Sequence, residues 1–201
     1  MELSGIEMRY LVNEIKKKVC NGYYVSNVYG ITKDSIQLKL HHPTEPDILL
    51  MISAKGIWIS KLKFDSIEQG ELVNMLRNKI TRAKIDDVEQ FGSERIVILK
   101  FAIDDGIRNL IAEFFAGGNI ILCDESMKIL TVLNSIAVRH RVLKVGATYV
   151  YPPKRGMDVF ELKAEDMMQL RSSDLDVARW IGRNVALPKK FVEEIIHASS
   201  I

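Results

Sequence analysis

Apolar residues recur every three or four positions at Met8, Leu11, Val12, Ile15 and Val19, the period of an amphipathic helix, and predict one over 4–20. Ser4 and Glu7 at its start have the capping-box spacing, in which a hydroxyl and a carboxylate satisfy free amides of the first turn. Lys16, Lys17 and Lys18 at its end complement the helix dipole. Past Asn21-Gly22 the period falls to two, which predicts strands over 24–29, 36–40, 48–52 and 57–59, joined by turns at 30–34, 41–47 and 54–56. Leu72, Leu76 and Ile80, four apart, bring back a helix over 71–82. A second strand set follows over 85–90, 95–103, 107–115, 119–124 and 129–134, with Asp104-Asp105-Gly106 as a hairpin turn. This order predicts an α+β chain: a β-rich two-layer sandwich with helices packed on it.

Tyr151-Pro152-Pro153 breaks the pattern, because proline lacks the amide that regular structure uses. We therefore expect a first domain over 1–153, a connector with a short helix over 154–173, and the start of a small, truncated helical hairpin domain over 174–201. Helices are expected over 163–170, 174–184 and 188–198, the last opening on Pro188, where a missing amide costs nothing.

With 201 residues, 47% of them apolar and 27% charged, the chain can bury a core of ordinary size. No apolar run has membrane-spanning length, and the start, with Glu2 and Glu7, lacks the basic flank and apolar stretch of a secretory signal, so a cytoplasmic protein is expected. Cys20 and Cys123 lie in apolar segments without C-x-x-C spacing, and the histidines show no metal-ligand pattern, so neither a metal nor a cofactor is expected. The Gly117-Gly118-Asn119 turn is far from any Lys-Ser or Lys-Thr and does not read as a phosphate-binding loop.

A net charge of +2 is uninformative, but its distribution is not. Between Arg139 and Arg155 lie Arg139, Arg141, Lys144, Lys154 and Arg155 with no acid, and Arg77 and Lys79 open a second acid-free run that ends at Lys84. Such clusters suit phosphate contact, since each neutralised phosphate releases counterions; a solvated basic face is the plainer alternative.

Four segments in order carry a family resemblance: Leu3-Ser4-Gly5-Ile6-Glu7-Met8-Arg9; Met75-Leu76-Arg77-Asn78-Lys79-Ile80 leading to Gln90-Phe91-Gly92-Ser93-Glu94-Arg95; Glu113-Phe114-Phe115-Ala116-Gly117-Gly118-Asn119; and Arg141 to Pro153. Together they resemble the N-terminal domain of the NFACT family, which includes fibronectin-binding protein A-like and RqcH-type ribosome quality control factors. The resemblance implies a protein that binds transfer RNA and a large ribosomal subunit (rRNA and stalled peptidyl-tRNA) and supports untemplated C-terminal tailing. It implies as well that the protein is not itself an enzyme, because the ribosome makes the peptide bond. It also implies tRNA-recruiting acids at Glu7 and in the Glu94-Arg95 pair, both glutamate where the family usually has aspartate, one methylene longer. Read locally, Glu7 serves the capping box alone and Glu94-Arg95 is an ordinary exposed pair.

Two other readings belong to different classes. The family's N-terminal domain is similar to that of formamidopyrimidine-type DNA glycosylases, which attack through an N-terminal proline; Met1-Glu2-Leu3 offers none, so base excision ranks second. A surface adhesin, as the older family name implies, ranks last because nothing in the sequence points to export.

Overall fold

The computed structural model describes residues 3–67, 70–154 and 156–199. Helix α1 (Gly5–Val19) begins as its sequence dictates: the Ser4 hydroxyl accepts from the Glu7 amide at 3.3 Å, and the Glu7 carboxylate accepts from the Ser4 amide at 2.8 Å. Such a cap is worth about 1 kcal/mol. Met8, Val12, Ile15 and Val19 form its buried stripe.

Strands β1 (Tyr24–Thr32), β2 (Ser35–His41), β3 (Ile48–Ser53) and β4 (Gly56–Ser60) form an antiparallel meander, followed by α2 (Glu71–Ile80). A second meander comprises β5 (Lys84–Gln90), β6 (Ile96–Ile103), β7 (Gly106–Glu113), β8 (Asn119–Cys123) and β9 (Ile129–Val132). The two sets join edge to edge in one nine-stranded antiparallel sheet, ordered β4-β3-β2-β1-β5-β6-β7-β8-β9. The seam is short: Tyr24 opposes Lys84, and Val25 and Ile85 donate to the carbonyls of Ala83 and Tyr23, each at 2.9 Å.

This continuous sheet folds over so that its halves face each other. The β3–β4 turn meets the β7–β8 turn so closely that a Cβ on Gly118, whose φ is +80°, would stand 2.4 Å from Ala54. Between the halves lies one apolar cluster that includes Leu38, Leu50 and Ile52 from one side and Leu99, Phe101 and Leu110 from the other. Helix α1 packs on β5 and β4, and α2 on β1 and β9.

A second cluster sits on the opposite face of the second meander, where Ile98, Ile111, Ile121 and Cys123 meet Leu143 and Tyr149. Burial on both faces explains why β6 and β8 read as nearly unbroken apolar runs instead of alternating ones. The covering layer includes a hairpin that periodicity did not predict, β10 (Ile136–Val138) and β11 (Arg141–Leu143).

Further on, α3 (Ala164–Met167) runs into a 3-10 turn (Met168–Ser172). Helix α4 (Val177–Asn184) starts later than the expected position 174, because Asp176 caps it by accepting from the Arg179 amide at 2.9 Å. Helix α5 (Lys189–Ser199) begins just past Pro188. These helices share a third cluster around Trp180, Ile181, Val185 and Val192. Among the described residues no helix is long and apolar enough to cross a membrane.

Candidate nucleic-acid interface at the first turn of α1

The β5–β6 turn carries Glu94 and Arg95 and is tied to the start of α1 by one buried side chain. Gln90 donates through Nε2 to the carbonyls of both Gly5 and Glu94, each at 2.8 Å, and its Oε1 accepts from Arg9 Nε at 3.0 Å. Arg9 also donates to the Gly92 carbonyl at 2.6 Å, and its guanidinium lies 4.1 Å from the centre of the Phe160 ring. Gly5 permits this approach, since a Cβ there would fall 1.8 Å from the Ser93 carbonyl oxygen.

Between this junction and the α4–α5 connection lies an open cleft of about 520 Å³, whose lining includes Ser4, Gly5, Glu94, Arg95, Pro188 and Lys190. Glu94 and Arg95 also line a smaller hollow of about 60 Å³ with Phe115, Pro152 and Pro153. Both residues are half-buried, at the rim of the body and outside its apolar core. Arg95 is the planar cation of the cleft and Lys190 the point charge; a guanidinium fork matches phosphate oxygens in pairs, whereas an ammonium does so singly.

Glu7 sits behind the rim, where Lys190 donates to its Oε1 at 2.6 Å. The Lys190 ammonium, and after it the Ser4 amide and hydroxyl, hold the Glu7 carboxyl at about 2, down from an ordinary 4.5. Because the folded-state value is depressed, the stabilisation is complete above pH 4.5 and fades as pH falls towards 2. In Lys190→Met, an NMR titration of the Glu7 carboxyl should therefore move upward towards the ordinary value; a titration left unchanged would remove Lys190 from this account.

The expected basic residues do not gather here. Among the described residues the cleft lining includes none of Arg77, Lys79, Arg139, Arg141, Lys144 and Lys154. Arg77 is turned inward, donating to the Val28 carbonyl at 2.8 Å, while Lys79, Arg139, Lys144 and Lys154 are exposed elsewhere. Arg141, expected as a phosphate contact, is buried: its Nη2 reaches both carboxylate oxygens of Glu113, at 2.8 and 2.5 Å, and its Nη1 reaches the Val150 carbonyl at 3.3 Å. Tyr149 donates its hydroxyl to the same carboxylate at 2.8 Å. A guanidinium so occupied has no donor face to offer an RNA, and it instead anchors β11 to β7. Arg155 lies outside the described residues.

Gly5, Arg9 and Gln90 stand in the segments that carry the family resemblance, but no pattern in the sequence gave them or Lys190 a role. For Lys190 there was a sign: two lysines open α5, where the helix dipole favours acids. A cation at that end calls for an outside partner, here Glu7.

The sequence profile described as NFACT N-terminal and middle domains matches residues 4–201, and the chain belongs to this family. The chain is similar to Ribosome quality control complex subunit 2 of Saccharomyces cerevisiae, 30% identical over 151 residues that cover 73% of this chain and 14% of that protein. It is similar to the archaeal Rqc2 homolog aRqcH of Methanocaldococcus jannaschii, 27% identical over 218 residues that cover 100% of this chain and 31% of that protein. The chain thus spans less than a third of the length of either relative. Among solved structures it matches the N-terminal domain of fibronectin-binding protein PavA from Streptococcus pneumoniae, with TM-score 0.85 and 21% identity over 98% of this chain and 79% of that one. At that identity the likeness establishes the fold.

Proposed function

We propose that this chain is the N-terminal part of a ribosome quality control factor that works in the cytosol. In this reading it binds transfer RNA and the large ribosomal subunit carrying a stalled peptidyl-tRNA, and supports untemplated C-terminal tailing while the ribosome performs the chemistry. The observation that supports it best is the meeting of Glu94, Arg95 and Lys190 around one open cleft, on backbone pinned by Gln90 and Arg9. Arg95 grips a phosphate in pairs of hydrogen bonds, Lys190 adds a point charge, and Glu94 accepts from a base amine or a ribose hydroxyl. Glu7 holds Lys190 in place. Exposed Lys79, Arg139, Lys144 and Lys154 contribute sequence-independent attraction at a distance. The helices after 174 are read as the start of a helix-hairpin-helix domain, with the connector at 154–173 and the first domain ending at 153.

Fluorescence anisotropy with labelled tRNA tests the site. Affinity should fall steeply as salt rises, and Arg95→Ala should weaken binding by about tenfold, as expected for loss of one paired contact. Salt-insensitive binding, or unchanged affinity in both Arg95→Ala and Glu94→Ala, would remove these residues from the interface. Sequencing the RNA that co-purifies with the chain then identifies the preferred tRNA.

A further inference from the structure

The outer face of the first meander carries a feature that this role leaves unused. Tyr29, Gln37, Met51 and Trp58 stand opposite one another across β1, β2, β3 and β4, so they form one cross-strand row. Their sequence neighbours Val28, Ile36, Leu38, Leu50, Ile52 and Ile57 fill the core, so strand alternation turns the row outward. Residues 61–67 leave β4 and cross this face back to β1. Gln37, fully buried, fixes that crossing: its Nε2 donates to the Leu62 carbonyl at 2.9 Å and its Oε1 accepts from the Phe64 amide at 3.2 Å. The Ile67 amide reaches the Gly30 carbonyl at 2.9 Å.

The result is three aromatic side chains in sequence across one face: Tyr29 on β1, Phe64 held over β2, and Trp58 on β4. Trp58 and Phe64 are exposed to 41% and 37%. Tyr29 and Trp58 are separated by three strand spacings, about 14 Å. Two lysines, Lys61 and Lys63, lie on the crossing segment that carries Phe64. Lys63 lies 5.4 Å from the centre of the Tyr29 ring, and exposed Lys61 makes no ion pair among the described residues. An apolar strip alone fits several partners. Rings spaced across one sheet face with ammonium groups on the segment that crosses it fit a polyanion that carries flat apolar faces, because a base stacks on a ring while its phosphate meets a lysine.

We infer that this strip is a second nucleic-acid site, distinct from the cleft, that takes unpaired RNA bases on Trp58 and Phe64 with Lys61 and Lys63 on the intervening phosphates. The chain supplies its own reporter, since of its two tryptophans Trp58 is exposed and Trp180 is 4% exposed. Tryptophan fluorescence is followed while a single-stranded oligoadenylate is added, with the duplex form as a control. Quenching should be saturable for the single strand and weaker by about tenfold for the duplex. Trp58→Phe should abolish the fluorescence change while anisotropy reports nearly unchanged affinity; Trp58→Ala should weaken binding about tenfold. The double variant Lys61→Glu, Lys63→Glu, which leaves the sheet intact, should lower both affinity and salt dependence. Tryptophan quenching absent at saturating oligonucleotide, or affinity unchanged in the lysine variant, overturns the inference. Quenching by phosphatidylserine vesicles in place of RNA also overturns it and reassigns the strip to an anionic lipid surface. Quenching reads the exposed Trp58, so Arg95→Ala, which weakens the cleft, should leave it unchanged; quenching lost in that variant would assign the oligonucleotide to the cleft and overturn the inference.

Discussion

Arg141→Ala should destabilise the fold by about 3–5 kcal/mol, the cost of leaving a buried charge without its partner. The side chains of Arg141 and Glu113 are 7% and 2% exposed, so water cannot replace the lost guanidinium. Burial in this cluster, followed by the adjacent Glu113 carboxylate, also pushes the Tyr149 hydroxyl far above its ordinary value, which keeps it neutral and donating. Urea denaturation measures the loss. Glu113→Leu combined with Arg141→Met and Tyr149→Phe should recover most of it, because matched apolar side chains carry no desolvation penalty and no buried hydroxyl is left without its acceptor. Should the single variant cost less than about 1 kcal/mol, the pair would be no more than a surface-like contact. The cluster has a functional consequence as well. It fastens β11 and the Tyr149 segment to the sheet, and Tyr151 of that segment stacks on Phe91 at 3.8 Å, next to the turn that carries Glu94 and Arg95.

Gly5→Ala is the second large effect. The added methyl would need to occupy the space of the Ser93 carbonyl, and backbone cannot step aside as a side-chain tip can. Overpacking of this kind costs about 1–3 kcal/mol. The first turn of α1 must then lift off the β5–β6 turn, so the melting temperature should fall and, on the proposed function, tRNA affinity with it. Gly56→Ala is the control: a Cβ there meets nothing within 4 Å, and stability should change by no more than about 0.5 kcal/mol. Equal losses in both variants would show that the close approach at Gly5 has no special part in the site.

The elements themselves were legible because their signals are local. The capping box at Ser4 and Glu7, the stripe of α1 and the alternation of β1 to β4 depend on neighbours a few residues apart, and each stands where the pattern places it. The β10–β11 hairpin was not legible, since three-residue strands rich in arginine and valine carry too little periodicity to be told from a basic loop. Its basic reading went astray at Arg141 for a related reason. Charge along a chain does not say which way a side chain turns, and only the approach of Glu113, 28 residues away, takes this guanidinium into the interior.

Sequence alone therefore determined the class of the chain, the order of its elements apart from β10 and β11, and the family it belongs to; the pair Glu94-Arg95 came from it only as a candidate implied by that family. Tertiary structure decided how these are used. It joined two meanders into one folded-over sheet through a short seam, brought Gly5 against Ser93, and set Lys190 on Glu7 from 183 residues away. Contacts of that range are fixed by the geometry of the whole core, which no local pattern encodes.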